Sequence, residues 1–289
     1  MVIVRLIGGL GNQLFQYATA RRVAHINNAV LKLDISAFES YKLHAYSLKY
    51  FNIREELACP EEVAHFKGVG LPGRIFRLAQ SRLPYYRRSW VVERQMNFDP
   101  NILKLSGNVY LDGYWQCEKY FKDIEPSVRQ ELTVKPSLDE RSEAIAEKIC
   151  RTQSVSLHIR RRDYASDANT KEVHGTCSLE YYYTAIGRLE KAGIEPEVFI
   201  FSDDSLWART NLKLKYPATF VTHNGAEKNY EDLRLMSLCS HHIIANSSFS
   251  WWGAWLCTNP RKIVFSPLKW FNKSERDTSD LIPDEWAKI

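Results

Sequence analysis

The amino-acid sequence predicts an α/β protein, and three features carry that prediction. The chain opens with a strand of β-branched residues, a glycine turn and a helix, which is the start of many nucleotide-binding units. From Ser154 onward, short apolar strands alternate with helix-length segments, as in parallel sheets joined by right-handed crossovers. Polar residues collect where these later strands end, which is the edge at which open α/β sheets bind ligands.

Composition narrows the class of protein. The chain has 289 residues, 45% hydrophobic and 25% charged, with a net charge of +5. This charge favours anionic small ligands and is too small to predict nucleic-acid binding. The scattered cysteines lack metal-site spacing and suggest reduced thiols. We find neither a signal peptide nor a stable membrane anchor, and therefore expect a cytoplasmic protein of bacterial type, or one peripheral to the inner membrane.

The first half begins with a predicted strand, Val2–Ile7, and a turn containing Gly9 and Gly11. Glycines there permit positive φ and the close approach of a ligand to backbone N–H groups, although a simple tight turn explains them equally well. Asn12, at the start of the following helix, is either an N-cap or a residue that faces a ligand.

Three further segments of the first half have open interpretations. A second strand is predicted over residues 29–34, and its last residue, Asp34, is either a ligand of a sugar hydroxyl or a turn residue. The strand ending at Asp112 continues into Gly, aromatic residues and Gln116, a group suited to carbohydrate. Residues 68–86 are rich in turn residues and arginine, which predicts a solvated connection or, alternatively, an acceptor-facing lid.

The strand from Ser154 to Ile159 runs into consecutive arginines. Arginine presents a planar fork of donors that matches phosphate oxygens. Arg160 and Arg161 therefore predict a diphosphate clamp, with Asp163 orienting one of them, although a solvated basic turn is the alternative. We place the domain boundary near here, which gives domains 1–150 and 151–289.

Other predicted strand ends carry ligand-type residues. Asn246, Ser247 and Ser248 lead into a helix whose N-terminus would form a second phosphate site, with Ser250 as its N-cap. Ser178 and Gly193 are the predicted caps of an earlier helix. Asp203 and Asp204 are adjacent and lack the Asp-x-Asp spacing of many metal sites, so we expect no metal ion. The residues that carry these predictions are all in the second half of the chain.

Three long motifs, in this order, resemble the motif regions of glycosyltransferase family 11, the α-1,2-fucosyltransferases. They are residues 8–18 (GGLGNQLFQYA), residues 158–164 (HIRRRDY) and residues 246–254 (NSSFSWWGA). One departure is Arg162, where the family usually has Gly. The resemblance spans nearly the whole chain.

The resemblance implies a GT-B type fold, with two Rossmann-like domains and an intervening cleft. It implies GDP-β-L-fucose as donor, bound by domain 151–289, and a galactose-terminated oligosaccharide as acceptor on the side of domain 1–150. Fucose would be transferred to the 2-hydroxyl of galactose with inversion, without a metal ion or other cofactor. A fucosyltransferase of other regiochemistry, another nucleotide-sugar transferase and a lectin-like binder remain alternatives.

The resemblance also implies residue roles. Arg160 would hold the β-phosphate with Arg161 beside it, Asn12 would lie near the fucose, and Asp232 would bind guanine N1 and N2. The remaining donor-binding candidates are Gly9, Gly11, His158, Asp163, Asp203, Asn246, Ser247, Ser248 and Phe249. The general base is open: His174 is the first candidate, Asp34 and Asp112 are weaker ones, and the departing phosphate could itself take the proton.

Overall fold

A computed structural model of the protein describes residues 1–41, 43–68, 70–161, 175–272 and 276–289. These residues divide into two compact units. The first unit is Met1–Lys135 with Arg276–Leu281, and the second is Pro136–Glu275 with Ile282–Ile289. This division places the helix Glu140–Arg151 in the second unit, whereas the boundary that we predicted after residue 150 places it in the first.

A parallel sheet forms the centre of the first unit. Its strands, within the described residues, are β1 (Val2–Arg5), β2 (Leu31–Asp34), β3 (Trp90–Val92) and β4 (Val109–Asp112). They lie in the order β2-β1-β4-β3. Val2, Ile3 and Val4 of β1 are fully buried, although their side chains point to alternate faces. A strand that is apolar on both faces is expected in a parallel sheet covered on both sides.

The helices of the first unit begin where local chemistry favours them. They are α1 (Leu10–Ile26), α2 (Ala37–Ser40), α3 (Pro60–Lys67), α4 (Gly70–Ser81) and α5 (Glu125–Glu131). In α3, Pro60 occupies the first turn and the Glu62 carboxylate accepts a 3.0 Å hydrogen bond from the Cys59 N–H. Helix α4 lies within residues 68–86, which we predicted as a turn-rich, solvated connection; Pro72 is compatible with the helix because it lies in the first turn, where a missing N–H costs no hydrogen bond.

The second unit contains a second parallel sheet. Its described strands are β5 (Ser154–Ile159), β6 (Glu197–Ser202), β7 (Ala218–Val221), β8 (His241–Ile243), β9 (Val264–Ser266) and β10 (Ala287–Lys288). Their order is β10-β9-β8-β5-β6-β7. Numbered within this sheet, the order is 3-2-1-4-5-6 from the β7 edge, which is that of Rossmann folds. The predicted alternation of strands and helices in this half is confirmed.

Helices cover both faces of this sheet. The described helices are α6 (Glu140–Arg151), α7 (Leu179–Lys191), α8 (Ser205–Asn211), α9 (Asn229–Leu238) and α10 (Ser248–Leu256). Val198 and Ile200 of β6 join one apolar cluster with α7 and α8, and Phe199 and Phe201 join another with α6 and α9. Because successive side chains of β6 point to opposite faces of the sheet, this strand contributes to both apolar clusters.

Side-chain caps fix the starts of the helices in the second unit. Ser178 is the predicted N-cap of α7, and its hydroxyl accepts a 3.2 Å hydrogen bond from the Tyr181 N–H. Gly193 follows the end of α7 with φ +79°, as expected of a C-cap glycine. The prediction that Ser250 caps α10 is wrong, because the helix begins at Ser248 and its N-cap is Ser247. No helix among the described residues is long and apolar enough to cross a membrane.

Candidate active site

The second unit has a topological switch point between β5 and β8. From β5 the chain adds β6 and β7 on one side of the strand, and then returns to add β8 and β9 on the other. Open α/β sheets bind ligands in the crevice at the carboxyl ends of such strands. Here this edge carries the end of β5 and the turn from β8 into α10, which are two of the motif regions found in the sequence.

His158, on β5, is a neutral and firmly oriented side chain. Its Nδ1 lies 2.9 Å from the Ser250 hydroxyl of α10, and that hydroxyl donates to the Ser247 carbonyl at 3.3 Å. Ser250 therefore accepts a hydrogen bond from Nδ1–H, which makes Nε2 the acceptor nitrogen of the ring. Burial, reinforced by the charge of Arg160, lowers the pKa of His158 to about 3. The imidazole can accept a hydrogen bond there, but it does not supply a positive charge.

Arg160, directly after β5, supplies that charge. Its Nε lies 3.2 Å from an Asp203 carboxylate oxygen, and the other oxygen of Asp203 accepts a 2.8 Å hydrogen bond from the Arg161 N–H. Asp203 follows β6, the strand paired with β5. A carboxylate from the neighbouring strand thus orients the guanidinium, and this partner is one that we had predicted as a donor-binding residue instead.

Arg161 turns its side chain toward α8. Its guanidinium lies 3.8 Å from the centre of the Trp207 ring, and its Nε lies 3.8 Å from an Asp204 oxygen. Asp204 is also the N-cap of α8, accepting from the Trp207 N–H at 3.1 Å. The two arginines therefore leave the same strand end, but Arg161 has partners on α8 that the sequence did not reveal.

The N-terminus of α10 completes this edge. Ser247 has extended backbone angles, and its hydroxyl accepts a 3.3 Å hydrogen bond from the Phe249 N–H. The ring of Phe249 lies 5.7 Å from that of His158. The first turn of this nine-residue helix, with Ser248 and Phe249, directs N–H groups and the positive end of the helix dipole toward the strand ends.

Asn246 has structural partners. It is buried, and its amide donates to the carbonyls of Trp270 at 3.2 Å and of Gly175 at 3.4 Å. Its Oδ1 accepts a weak 3.7 Å hydrogen bond from the Cys177 thiol. The predicted donor-binding residue Asn246 thus connects the turn before α10 to two other loops of the second unit.

Asp232, in the first turns of α9, is a partly buried acid. The Asn224 amide donates a 2.8 Å hydrogen bond to one of its carboxylate oxygens. Burial raises the pKa of Asp232 to about 7, although the Asn224 hydrogen bond opposes the shift. A partly buried carboxyl group with a raised pKa is suited to receive hydrogen-bond donors from a ligand.

The first unit has its own switch point, between β1 and β4. The turn after β1 contains Gly8, with φ +84°, where a Cβ would lie 2.6 Å from the Asn12 amide nitrogen. Gly9 has a negative φ and is the N-cap of α1, and Gly11 lies within the first turn. The position that requires glycine is therefore Gly8. The alternative that Asn12 is the N-cap is wrong, because α1 begins at Leu10.

Amide side chains join the two loops at this switch point. Asn12 Oδ1 accepts a 2.7 Å hydrogen bond from Gln116, which follows β4. Gln16 accepts from the Ile7 N–H and donates to the Gly113 carbonyl, each at 3.1 Å. These bonds hold Asn12, a predicted catalytic residue, against the Gly113–Gln116 loop that we had interpreted as a carbohydrate surface.

Glu93, which the sequence analysis missed, fixes the same loop. Its carboxylate accepts from the N–H groups of Tyr114 and Trp115 at 2.7 and 2.9 Å. Trp115 has φ +55°, a strained conformation for an aromatic residue. Burial raises the pKa of Glu93 despite these hydrogen bonds. The only available signal was an acid directly after a short apolar strand.

The two acids that were weaker general-base candidates are held by protein partners. Asp34 is buried, accepts from the Ser36 N–H at 3.0 Å and from Tyr110, and lies 3.2 Å from the Lys67 amine. Burial opposes its ionisation, but these donors outweigh burial and lower its pKa. Asp34 is thus a turn residue. Asp112 pairs with Arg5 at 3.1 Å. Arg162, Asp163 and His174 lie outside the described residues.

Comparison with known proteins places these residues in a family. The sequence profile of Glycosyl transferase family 11 matches residues 86–289, more than half of the chain. The chain belongs to this family. The resemblance seen in the sequence is confirmed, and the protein is a glycosyltransferase.

Relatives of known activity support the same assignment. An alpha-1,2-colitosyltransferase of Escherichia coli is 34% identical over 100% of this chain and 99% of its own. The O-antigen biosynthesis glycosyltransferase WbnK of Escherichia coli is 31% identical over 98% of this chain and 99% of its own. Galactoside alpha-(1,2)-fucosyltransferase 1 of Alouatta belzebul is more distant, at 24% identity over 86% of this chain and 63% of its own.

Solved structures show the fold of this family 11 chain. The fucosyltransferase NodZ from Bradyrhizobium superposes with a TM-score of 0.53 at 14% identity, covering 91% of this chain and 94% of that one. A mutant of Arabidopsis thaliana FUT1 in complex with GDP has a TM-score of 0.54 at 11% identity, covering 91% and 69%. The predicted GT-B type fold, with Rossmann-like α/β units, is confirmed.

The sequence motifs of this family 11 member thus separate into two groups. In the second unit the structure brings His158, Arg160, Asp203 and the start of α10 to one sheet edge. In the first unit it joins Asn12 to the loop after β4. Asn246 and Asp34, by contrast, have partners that explain them without a ligand.

Proposed function

We propose that this chain is an inverting α-1,2-fucosyltransferase that moves L-fucose from GDP-β-L-fucose to the 2-hydroxyl of a terminal galactose. The observation that carries the proposal is the edge of the second sheet. There the Arg160 guanidinium, the neutral His158 ring and the N-terminus of α10 converge, in a family whose relatives form α-1,2 linkages. Arg160 and the N–H groups of α10 supply the charge and the donors that a diphosphate requires, and the His158 ring lies beside them as an acceptor.

The reaction breaks the bond between fucose C1 and the β-phosphate oxygen. The electron pair remains on GDP, while the galactose O2 forms its bond to C1 on the opposite face and loses its proton. Charge therefore develops on the phosphate and, with opposite sign, on the sugar. Arg160, held by Asp203, and the N–H groups of α10 are oriented before the reaction and stabilise the departing GDP most strongly in the transition state.

Guanine recognition is assigned to Asp232. Guanine presents two adjacent donors, N1–H and N2–H, and an ionised carboxylate can accept both. The burial that raises the pKa of this acid also means that its charge gains strongly from new donors. Asn224 already holds one oxygen in place, so the carboxylate is oriented before the base arrives.

The acceptor is assigned to the first unit. Asn12 and Gln116 present hydrogen-bonding amides, and Tyr114 on the same loop is 41% exposed, which would allow its ring to cover a sugar face. Glu93 keeps this loop in its strained shape. For the proton of the galactose hydroxyl we retain two routes, His174 as general base or transfer to the departing phosphate.

Independence from metal ions is part of the proposal. Asp203 and Asp204, the adjacent acids that could suggest a metal site, lie against Arg160 and Arg161. Arginine then supplies the positive charge that a metal ion provides in other glycosyltransferases. Activity should therefore persist in EDTA.

A second donor is favoured by one relative. The 34% identical protein is named an alpha-1,2-colitosyltransferase, and colitose is L-fucose without its 3-hydroxyl. An enzyme that hydrogen-bonds this hydroxyl discriminates strongly against the deoxy sugar, by about 10⁴-fold in favourable cases, because its buried polar partners are left unpaired. GDP-fucose and GDP-colitose should therefore be compared as competing donors.

The deciding experiment measures GDP release from GDP-fucose with a β-galactoside acceptor in EDTA, followed by NMR of the product. An α-1,2-linked fucoside would support donor, linkage, inversion and metal independence together. Another linkage would contradict the regiochemistry. If no GDP is released with either donor sugar, calorimetry with GDP and UDP follows: equal affinity for both nucleotides would contradict the guanine assignment.

A further inference from the structure

Helix α4 of the first unit attaches to the protein through its small and polar side. A Cβ on Gly73 would lie 2.2 Å from the Gly68 carbonyl carbon, so the two backbones are in direct contact there. Gln80, two turns later, accepts a 2.9 Å hydrogen bond from the Ser89 N–H through its side-chain oxygen. The side of the helix that carries Gly73 and Gln80 therefore faces the protein.

The opposite side of α4 presents large apolar residues to solvent. Ile75 and Leu78 are 63% and 61% exposed. They lie three residues apart, on one face, and roughly opposite Gly73 on the helical wheel. Leu83, just after the helix, is also exposed. A helix on the surface of a globular protein normally turns its apolar face inward, so the orientation of α4 is inverted.

All the charged residues in the sequence around this face are basic. No Asp or Glu occurs between Val69 and Val92. The arginines of this stretch are Arg74, Arg77, Arg82, Arg87 and Arg88. Arg88 stabilises the turn after the helix by donating hydrogen bonds to the Ser81 and Leu83 carbonyls at 2.7 and 3.1 Å. Arg74, Arg82 and Arg87 are exposed.

We propose that this surface, the α4 face, docks on an anionic phospholipid bilayer. The α4 face consists of Ile75, Leu78 and Leu83 with the exposed arginines Arg82 and Arg87. Apolar side chains beside arginines on a short helix match the boundary between acyl chains and anionic headgroups. The charge argues for a lipid headgroup layer, because phosphate oxygens complement arginine where an apolar protein groove does not.

Docking through the α4 face should be reversible, and the face should not act as a permanent anchor. Few apolar side chains are available to insert, and interfacial helices bind by adding apolar contact to electrostatic attraction. Each basic residue near an anionic surface changes partitioning by about fivefold, so removing two should release most of the protein. The inference does not depend on the donor or acceptor proposed above.

The test is co-sedimentation of the whole protein with phosphatidylcholine vesicles, with and without phosphatidylglycerol. We expect binding to the anionic vesicles, a strong loss with Ile75→Ser/Leu78→Ser, and weakening by added salt. The matched control is Ile26→Ser/Leu206→Ser, which changes the same two residue types at positions that are 56% and 76% exposed on other helices.

The charge contribution is tested separately. Arg82→Gln/Arg87→Gln should reduce binding to anionic vesicles by about 25-fold, two fivefold factors, and leave the weak binding to phosphatidylcholine unchanged. The control is Arg54→Gln/Arg151→Gln, which removes two arginines whose side chains are 76% and 77% exposed. Thermal unfolding and GDP binding should be unchanged in every variant, which distinguishes lost docking from misfolding.

Two outcomes would overturn the inference. One is wild-type protein that fails to sediment with phosphatidylglycerol vesicles at low salt. The other is equal loss of binding in the α4 and control variants. If sedimentation velocity shows a dimer that Ile75→Ser/Leu78→Ser dissociates, while vesicle binding is absent, a second copy of the chain covers the α4 face and the lipid assignment is wrong.

Discussion

The two sheets of this protein each have a switch point, and the two differ in chemistry. In the second unit, the edge between β5 and β8 carries a guanidinium, a helix N-terminus capped by serine and a neutral imidazole. In the first unit, the edge between β1 and β4 carries amides and a helix whose first turn has a glycine cap and no acid. The two parallel sheets, whose strand orders differ, thus carry a cationic edge and a neutral one, at which the charge of Arg5 is paired with Asp112.

The difference indicates which substrate each edge suits. A diphosphate needs fixed positive charge and N–H donors, which the second edge supplies. A sugar needs neutral donors and acceptors beside aromatic surface, as the Asn12–Gln116 pair and Tyr114 provide at the first edge. The parallel Rossmann-like scaffold sets where ligands bind, and the side chains after the strands set which ligands those are.

The largest expected effect comes from Arg160. Arg160→Ala should lower kcat by about 150-fold, or roughly 3 kcal/mol, because one preorganised donor to the departing phosphate is lost. Arg161→Ala is the matched variant, since it removes the neighbouring guanidinium that stacks on Trp207, and should reduce kcat much less. Steady-state kinetics with saturating donor check both. A kcat for Arg160→Ala within a few-fold of wild type would remove the phosphate role.

Asp232→Asn should have the next largest effect, on nucleotide affinity. An amide cannot accept both guanine donors as a carboxylate does, and a hydrogen bond to a charged group contributes about 1.5–3 kcal/mol. The Kd of GDP should therefore rise about 10- to 100-fold, and the preference for GDP over UDP should disappear. Calorimetry with both nucleotides measures this. An unchanged GDP preference would assign guanine recognition to another residue.

The raised pKa of Asp232 gives the same site a pH dependence. Guanine needs the ionised carboxylate, and the pKa in the free protein is about 7, so GDP should bind about tenfold more weakly at pH 6 than at pH 8. GDP phosphate ionises in the same way when it binds Asp232→Asn, but this variant lacks the carboxyl group. The part of the pH dependence that comes from Asp232 should therefore be lost. Equal pH profiles in the two proteins would contradict the assignment.

Stability should respond to pH in the opposite direction. A carboxyl group whose folded pKa is raised stabilises the fold below its unfolded pKa of about 4, and that contribution is lost as pH rises toward 7. The nucleotide-free Asp232→Asn protein should consequently unfold at a higher temperature than wild type at pH 8, with the gap narrowing at lower pH. Differential scanning calorimetry across this range would detect either trend.

Much of this architecture was predictable because its signals are local. The short apolar strands of the second unit and the Ser178 cap each depend on a few consecutive residues, and both predictions are confirmed. Helix α4 was missed because its glycines and Pro72 resemble loop composition, although their positions in the first turns are compatible with a helix. The start of α10 was misplaced because three serines there are equivalent as cap residues.

Partners distant in sequence were not predictable from local patterns. Arg160 is oriented by Asp203 from the neighbouring strand, and Arg161 lies on Trp207 from the next helix. The link from Glu93 to Trp115 also joins separate segments. These contacts depend on strand order and register, which a single sequence does not specify. The sequence therefore indicated which residues form the candidate edge, but not which of them hold the others in place.

The neutral edge is tested by Glu93→Ala. This change removes the acceptor of two N–H groups in the Tyr114–Trp115 loop, and an unsatisfied buried donor costs about 1–3 kcal/mol. The strained loop should relax, which raises the KM for the galactoside acceptor while the Kd of GDP is unchanged. Glu93→Gln, which retains one carbonyl oxygen, should show a smaller effect. A change confined to GDP affinity would contradict the division of labour between the two edges.

The smallest expected effect is on stability and GDP affinity, and it concerns two serine caps in the second unit. Comparing the two caps separates a structural role from a role in binding. Ser247 caps α10 at the candidate phosphate edge, and Ser178 caps α7 in the same way. Replacing either with alanine should cost about 1 kcal/mol of stability, because one backbone N–H loses its acceptor. Ser247→Ala should also weaken GDP binding, since it loosens the turn that aims N–H groups at the phosphates. Ser178→Ala should lose the same stability but bind GDP normally, so equal GDP affinity in the two variants would show that the cap of α10 has no part in binding the nucleotide.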